Sequence, residues 1–128
     1  LKMYKENDLF QTDLVNSYAW DTICNWIRDC GYNIDNSTEY GNYQNSANGT
    51  KKVMETASND RWKTNNIYDM AGNAWEYTTE EYGEHDKKHI GRGGDYLNDG
   101  DKYPISTRAT SSDESNLDVG FRVVLYLK

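Results

Sequence analysis

The chain has 128 residues, a formal net charge of −7 and a pI of about 4.7, so it forms one domain or part of one, and its acidity disfavours nucleic acid and anionic membranes as partners. Only 36% of the residues are apolar, and no run of about 18 apolar residues is present to cross a bilayer, so membrane insertion is not expected. Tryptophan and tyrosine nevertheless number 4 and 11, which supplies area for a core because each aromatic side chain buries about 150–250 Å².

Residues 17–30 carry the pattern of an amphipathic helix. Apolar side chains recur at the spacing i, i+3, i+4, i+7 and form one stripe, which comprises Trp20, Ile23, Cys24 and Ile27. Ser17 is the expected N-cap, and Gly31 is expected to end the helix because glycine readily adopts the left-handed conformation found there. The polar segment before the helix, residues 1–14, is expected to pair with whatever precedes it.

The two cysteines are expected to remain free thiols. Cys24 and Cys30 lie six positions apart on the predicted helix, about 600° of rotation, so their side chains leave the helix on different faces. That geometry disfavours a mutual disulfide. We expect both thiols to be largely buried, and they carry little information about the cellular compartment.

The rest of the chain predicts short strands joined by long polar loops. Residues 34–59 are rich in Asn, Ser, Tyr and Gly, which is typical of turns, and they contain N-x-S/T patterns of a kind that is common by chance. Strands are predicted over residues 75–79, 90–97, 105–109 and 121–127, with polar loops over residues 80–89, 98–103 and 110–119. The fold class is therefore α+β with short antiparallel strands.

Three short blocks carry the most specific signal in the chain. Residues 66–77 read N-I-Y-D-M-A-G-N-A-W-E-Y, residues 92–94 read R-G-G and residues 120–122 read G-F-R. In this order the blocks resemble the back half of the formylglycine-generating-enzyme/sulfatase-modifying-factor domain, a variant of the C-type lectin fold. The resemblance implies one domain over residues 1–128 that lacks its N-terminal part. The start at Leu1 rather than Met agrees with a fragment from which any targeting segment was removed.

The resemblance also bears on catalysis. In the enzymes of this family, two cysteines follow the R-G-G block and bind the metal that performs the oxidation. The corresponding positions here are Asn98 and Tyr103, and neither can form the thiolate that is the soft-metal ligand. We therefore expect a non-catalytic member with no copper and no catalytic residue; the alternative is an oxidase-type enzyme of the family that uses other residues.

The first block implies a calcium site. Similar family members bind calcium here through two carboxylates and two backbone carbonyls, and the matching positions are Asp69, Gly72, Ala74 and Glu76. Calcium takes 6–8 oxygen ligands, so water or distant groups would have to complete the set. The alternative reading of the residues is that Asp69 caps a turn and Glu76 pairs with an arginine.

Three arginines lie beside small or apolar residues in or near the predicted strands: Arg92, Arg108 and Arg122. Arginine is the residue that forms buried, bidentate pairs with carboxylates. At least one of the three is therefore expected to lie inside the domain, bound to Asp69, Glu76 or a loop carbonyl. An anionic-ligand site is the less favoured interpretation.

Two further clusters match metal sites only in part. His85 and His89 lie four apart, but no glutamate adjoins His85 as the zinc-protease pattern requires, so both are expected to be exposed. Three aspartates around Gly100 resemble part of an EF-hand, but the chain lacks an oxygen ligand at position 97 and a glutamate near position 106. The following are expected to form a solvated turn or to contact a ligand: Asp95, Asp99 and Asp101.

The polar loops are the expected binding surface. On the scaffold implied by the resemblance, residues 80–89, 97–103 and 110–118 converge on one face, where a rigid frame carries replaceable contact residues. The candidate ligand-binding residues are Tyr82, His85, Tyr96, Asn98, Asp99, Asp101, Tyr103, Ser112, Asp113, Ser115 and Asn116.

The three blocks, the lack of cysteines at positions 98 and 103 and the polar loops together resemble one branch of the family, the variable proteins of diversity-generating retroelements. The resemblance implies a domain that binds a protein or glycan ligand and resides on a bacterial cell surface, in the secreted fraction or on a phage particle. A structural phage-tail or surface domain with no dedicated ligand is the remaining alternative. The oligomeric state is left open.

Overall fold

A computed structural model describes residues 9–85, 87–110 and 119–127, and these contain one α-helix and eight short strands. The elements in chain order are β1 (Phe10–Leu14), α1 (Ser17–Asp29), a 3₁₀ turn (Asp60–Trp62), β2 (Lys63–Thr64), β3 (Ile67–Tyr68), β4 (Trp75–Tyr82), β5 (Lys88–Arg92), β6 (Arg108–Thr110), β7 (Val119–Phe121) and β8 (Val123–Leu127). The predicted α+β class is confirmed.

Helix α1 forms where the apolar stripe predicted it. Trp20, Cys24 and Ile27 are buried, as the spacing indicated. The predicted N-cap is one residue too late, because the side-chain oxygen of Asn16 accepts the backbone N–H of Ala19 at 2.8 Å. Ser17 is the first helical residue, and its hydroxyl hydrogen-bonds the carboxylate of Glu80 on strand β4 instead.

The end of the helix separates the two cysteines. Gly31 follows the helix with a φ of +97°, the left-handed conformation expected of it. Both cysteines are free, as predicted, but only Cys24 is buried. The expectation that Cys30 is also buried is wrong, because six further positions rotate it away from the stripe onto the exposed side of the last turn.

The strands form three small sheets. The largest has the order β6–β5–β4–β7, in which β7 runs parallel to β4 and the other pairs are antiparallel. Strands β2 and β3 form a hairpin. Strand β1 pairs antiparallel with β8.

Several predicted boundaries are wrong for reasons visible in the backbone. The predicted loop 80–89 is largely hairpin, because Tyr82 pairs with Lys88 and the strands continue to these residues. The predicted strand 90–97 ends at Arg92, since the two glycines that follow have φ values of +90° and +75°. The strand predicted over 105–109 is Arg108–Thr110, and the closing strand is divided at Arg122.

The core lies between α1 and the loops that carry the three blocks. Its fully buried members include Trp20, Tyr43, Met70 and Ile105. The indole N–H of Trp20 donates to the carbonyl of Ile105 at 2.9 Å, and the Tyr43 hydroxyl donates to the carbonyl of Gly93 at 2.7 Å. Within the described ranges, no helix combines the length and the apolar character needed to cross a bilayer.

Candidate functional site

The first block forms a buried turn that is joined to the R-G-G block. Gly72 has a φ of +70°, and its N–H donates to the carbonyl of Gly93 at 2.8 Å. Asn73 donates its N–H to the carbonyl of Asn42 at 2.9 Å. A Cβ on Gly72 would lie 2.5 Å from that carbonyl oxygen, so only glycine fits. The two blocks and residue 42 thus form one rigid unit.

Glu76 is paired with an arginine, which is the alternative to calcium ligation that the sequence left open. The Arg122 guanidinium donates to both of its carboxylate oxygens, Nε at 2.9 Å and Nη2 at 2.8 Å, and Nη2 also donates to the carbonyl of Tyr68 at 2.9 Å. Burial raises the pKa of Glu76, and the charge of Arg122 partly offsets that rise. We expected an arginine bound to Asp69, Glu76 or a loop carbonyl, and Arg122 forms such a pair with Glu76.

Asp69 lies near this pair in a strained position. Its φ is +54°, and its Oδ2 accepts the N–H of Ala57 at 3.0 Å. Its Oδ1 is buried without a hydrogen-bond partner among the described residues. Burial raises the pKa of Asp69, while the Ala57 hydrogen bond and the charge of Arg122 act against the rise.

The predicted calcium ligands do not form an open site in this arrangement. Both oxygens of Glu76 bind Arg122, and the carbonyl of Gly72 accepts the N–H of Ala74 at 2.9 Å. Asp69 Oδ1 is the uncommitted carboxylate oxygen of the set. No group of three His, Cys, Asp or Glu residues that could hold a metal occurs within the described part of the chain. Calcium binding stays a prediction, and it requires Arg122 to release Glu76.

The other two arginines have different environments. Arg92 has a side chain only 1% exposed, and its Nη2 lies 2.5 Å from Oδ1 of Asp21 and 3.3 Å from the carbonyl of Ser106. Its guanidinium also lies over the ring of Trp20, 5.7 Å from the centroid. Arg108 is exposed and hydrogen-bonds Glu80. The sequence indicated a buried arginine but not its pairing with helix α1.

The loop that follows the R-G-G block is organised by a buried aspartate. Asp95 is 1% exposed, and its Oδ1 accepts the N–H of Leu97 at 3.0 Å and the side-chain amide of Asn98. The expectation that Asp95 belongs to a solvated turn or contacts a ligand is therefore wrong. Its carboxylate accepts hydrogen bonds from the backbone and from a side chain of its own loop. An aspartate within a polar stretch of sequence does not reveal this role.

The segment around residue 40 holds this loop from the other side. The carbonyl of Asn98 accepts the N–H of Gln44 at 2.8 Å. Gly100 donates its N–H to Asn45 Oδ1 at 2.9 Å and accepts the N–H of Ser37 at 2.8 Å. The loop backbone is therefore fixed at two points by a neighbouring segment.

Five of the candidate ligand-binding residues lie together in this loop: Tyr96, Asn98, Asp99, Asp101 and Tyr103. Asp101 is exposed, Tyr103 is 40% exposed and the other three are half-buried. The Tyr103 ring packs edge-on against Trp75, with centroids 5.8 Å apart. The positions that correspond to the family's metal-binding cysteines thus reach the surface, and they carry an amide and a phenol.

The remaining candidates lie elsewhere. Tyr82, which is 62% exposed, and His85 lie at the tip of the β4–β5 hairpin. No hydrogen bond or ring contact joins them to residues 96–103 in the described part of the chain. His89 is exposed and packs against the ring of Tyr77, as a histidine without a metal role would. The other four candidates, Ser112, Asp113, Ser115 and Asn116, lie outside the described residues.

A groove of about 670 Å³ adjoins this loop and was not expected from the sequence. Residues between Gly31 and Asn45 line it together with Asp101. The signal that could have located it is the high content of Asn and Tyr in this segment, a composition that by itself predicts only turns.

The two cysteines lie on helix α1 and at its C-cap. Burial raises the pKa of Cys24 to about 11, so its thiol is protonated and a poor nucleophile at neutral pH. Cys24 belongs to the apolar stripe of α1, and Cys30 caps the same helix.

Comparisons with known proteins agree with this fold. A crystal structure of CarF matches with a TM-score of 0.70 and 20% identity, over 92% of this chain and 48% of that one. Treponema denticola variable protein 1 matches with a TM-score of 0.60 and 20% identity, over 88% of this chain and 47% of that one. The chain thus spans about half the length of both structures, and no curated protein matches it. The model of the sulfatase-modifying factor enzyme 1-like domain matches residues 11–127, and the chain belongs to that family.

Proposed function

We propose that this domain is a non-catalytic binding module that presents residues 96–103 to a protein or glycan ligand. One observation supports this most directly: the loop backbone is fixed by Asp95 and by residues 37–45, while Leu97, Asp101 and Tyr103 remain exposed. A fixed backbone lowers the entropy cost of binding. Tyrosine adds contact area with few rotatable bonds.

The lack of cysteines in residues 96–103 supports a binding role for this loop over an oxidase reaction. The chain has two cysteines, and both belong to α1 or its cap rather than to the loop. An oxidase-type reaction would require copper-dependent turnover of a cysteine-containing peptide by the purified protein. We expect none, and turnover above that of a protein-free copper control would overturn the proposal.

We further propose that the loop is diversified and that the protein is displayed on a bacterial surface, secreted or carried on a phage particle. The likeness in fold to Treponema denticola variable protein 1 supports this, because that protein is a variable protein built on a similar scaffold. The test is the encoding DNA. We expect a near-copy of the C-terminal coding region that differs mostly at adenines, beside a reverse-transcriptase gene; neither would be present for an ordinary binding module.

Binding itself can be tested with arrays of immobilised glycans and bacterial surface proteins. We expect Tyr103→Ala to abolish a signal that Tyr18→Ala retains, since Tyr18 is 87% exposed on α1, away from the loop. Melting curves of both variants show whether the fold persists. A signal that is unaffected by Tyr103→Ala would place binding outside residues 96–103 and reject the proposed loop surface. No signal on any array would favour a structural surface domain.

A further inference from the structure

We infer that the groove between Gly31 and Asn45 binds a neutral saccharide through its hydroxyl groups and one apolar face. The groove touches the proposed binding loop at Asp101, and its other lining residues belong to the segment after helix α1. The inference therefore rests on the proposed function only at that one residue. A volume of about 670 Å³ falls within the range of small-molecule sites.

The aromatic wall of the groove is rigid. Tyr40 is buried, and its hydroxyl donates to the carbonyl of Asn33 at 2.6 Å and lies 2.9 Å from Oγ of Ser37. Tyr32 packs edge-on against the Tyr40 ring, with centroids 5.2 Å apart. The half-buried ring of Tyr32, held in place by Tyr40, provides an apolar surface against which a sugar can place its C–H groups.

The groove offers hydrogen-bond donors from two asparagines. Asn33 Oδ1 accepts the N–H of Asp35 at 3.0 Å, and Asn36 Oδ1 accepts the N–H of Thr38 at 3.1 Å. Each amide oxygen is therefore used to hold the backbone, and the two NH₂ groups have no hydrogen-bond partner in the part of the chain that the structure describes. Each is left to donate to an acceptor in the groove.

Acceptors lie beside these donors. Glu39 is exposed, and one oxygen of Asp101 accepts the amide of Asn45 at 3.0 Å, which leaves its second oxygen for a ligand. The hydroxyl oxygen of Thr38 is buried and has no partner among the described residues. A hydroxyl group can donate to a carboxylate and accept from an amide at the same time, so a polyol satisfies both kinds of group.

The charges of the residues that line the groove restrict the class of ligand that it can bind. Glu39 and Asp101 are the charged residues of the lining, and no Lys or Arg among the described residues lines the groove. Phosphorylated, sulfated and acidic sugars would be repelled. The two carboxylates would attract a cation, but a cation would leave the two NH₂ donors without acceptors, so a cationic probe belongs in the test. A peptide strand would find no sheet edge, because residues 31–45 contain no strand. The neutral saccharide is the class that matches donors, acceptors and rings together.

The experiment is a titration of the intact chain with methyl glycosides of glucose, galactose, mannose and N-acetylglucosamine, followed by amide NMR shifts. We expect at least one to give saturable shifts in residues 31–45. Asn36→Asp, which keeps the oxygen that holds Thr38 but removes the NH₂ donor, should weaken binding at least about tenfold. Asn25→Asp is the matched control, because it makes the same change on the exposed side of α1.

Further outcomes separate this site from the loop surface. Tyr32→Ala should abolish the shifts, whereas Tyr18→Ala, which removes an exposed tyrosine from α1, should leave them unchanged. If the glycosides bind but no array signal depends on Tyr103, the groove stands and the proposed loop function fails; the reverse result rejects the groove alone. Choline is the cationic probe. Saturable binding of choline without any glycoside, or shifts equal in Asn36→Asp and Asn25→Asp, would overturn the inference.

Discussion

The guanidinium of Arg122 clamps the carboxylate of Glu76 with two hydrogen bonds, one from Nε and one from Nη2. Arg122 lies between β7, which pairs with β4, and β8, which pairs with β1. Its side chain therefore fixes the point at which the chain passes from one sheet to another. The G-F-R block and the W-E of the first block meet in this one contact.

Removing the arginine should destabilise the domain strongly. Arg122→Met leaves the Glu76 carboxylate, 12% exposed, without its counter-charge, and breaking a buried pair costs about 3–5 kcal/mol. Because Arg122 is itself 26% exposed, we expect the lower end, about 3 kcal/mol in denaturant unfolding. Arg28→Met is the control, since its pair with Asp29 is exposed and worth at most about 1 kcal/mol.

A double variant tests whether the loss is due to an uncompensated charge. Adding Glu76→Gln to Arg122→Met should recover part of the stability, because the buried charge is removed as well. Equal stabilities of the double and single variants would contradict this account. So would an Arg122→Met protein as stable as Arg28→Met.

Asp69 should make the domain less stable at neutral pH. Burial raises the pKa of Asp69 above its ordinary value of 3.8, so the folded state holds a proton that the unfolded state releases. Protonated Asp69 therefore contributes to stability at a pH below its pKa in the unfolded chain. This contribution is lost as the pH rises through the higher pKa of the folded state. In a chelating buffer, Asp69→Asn should therefore melt higher than the natural chain at pH 7, and the difference should close in acid.

Asp60 provides a control of opposite sign. The hydrogen bond from Tyr68 and the charge of Lys63 lower the pKa of Asp60, so its contribution is present at neutral pH and lost in acid. Asp60→Asn should lower the melting temperature at pH 7. An Asp69→Asn protein that melts lower than the natural chain at pH 7, as Asp60→Asn should, would refute the assignment for Asp69.

Gly94 should be irreplaceable. Its φ is +75°, and a Cβ there would lie 2.4 Å from the carbonyl oxygen of Tyr103. The backbone conformation alone costs an alanine about 1–2 kcal/mol, and the contact with the loop adds to that. We expect Gly94→Ala to lose more than about 2 kcal/mol in denaturant unfolding. Gly120→Ala, whose Cβ would meet nothing closer than 3.9 Å, should change stability by less than about 1 kcal/mol.

Calcium and Arg122 should compete for Glu76. If the predicted calcium site forms, Arg122→Met frees both carboxylate oxygens, so millimolar calcium should raise the melting temperature of that variant more than that of the natural chain. Adding Asp69→Asn should abolish the response. Melting temperatures that do not respond to calcium or chelator in either protein would remove calcium from the site.

Local patterns predicted the parts of the fold that depend on neighbouring residues. The stripe around Trp20 and Ile27 located α1, and the order of the three blocks identified the family. The helix start was misplaced because Asn16 and Ser17 are both good caps, and only the tertiary contact of Ser17 with Glu80 distinguishes them.

The features that the sequence did not reveal depend on distant partners. Arg92 and Asp21 lie 71 positions apart, and no periodicity connects them. Asp95 is buried although it stands in a polar run, because the backbone of its own loop supplies the donors. The groove exists only because residues 31–45 fold beside Asp101, which composition alone does not indicate.

The parallel pairing of β4 with β7 sets Tyr77 directly beside Phe121. The strands that flank the stretch 78–118 are therefore direct neighbours in one sheet. Exposed side chains between these two anchors, such as Leu97 and Asp101, can be exchanged without moving either anchor, whereas buried Arg92 in the same stretch cannot. The proposed diversification would therefore be confined to exposed side chains on a backbone that the sheet holds at both ends.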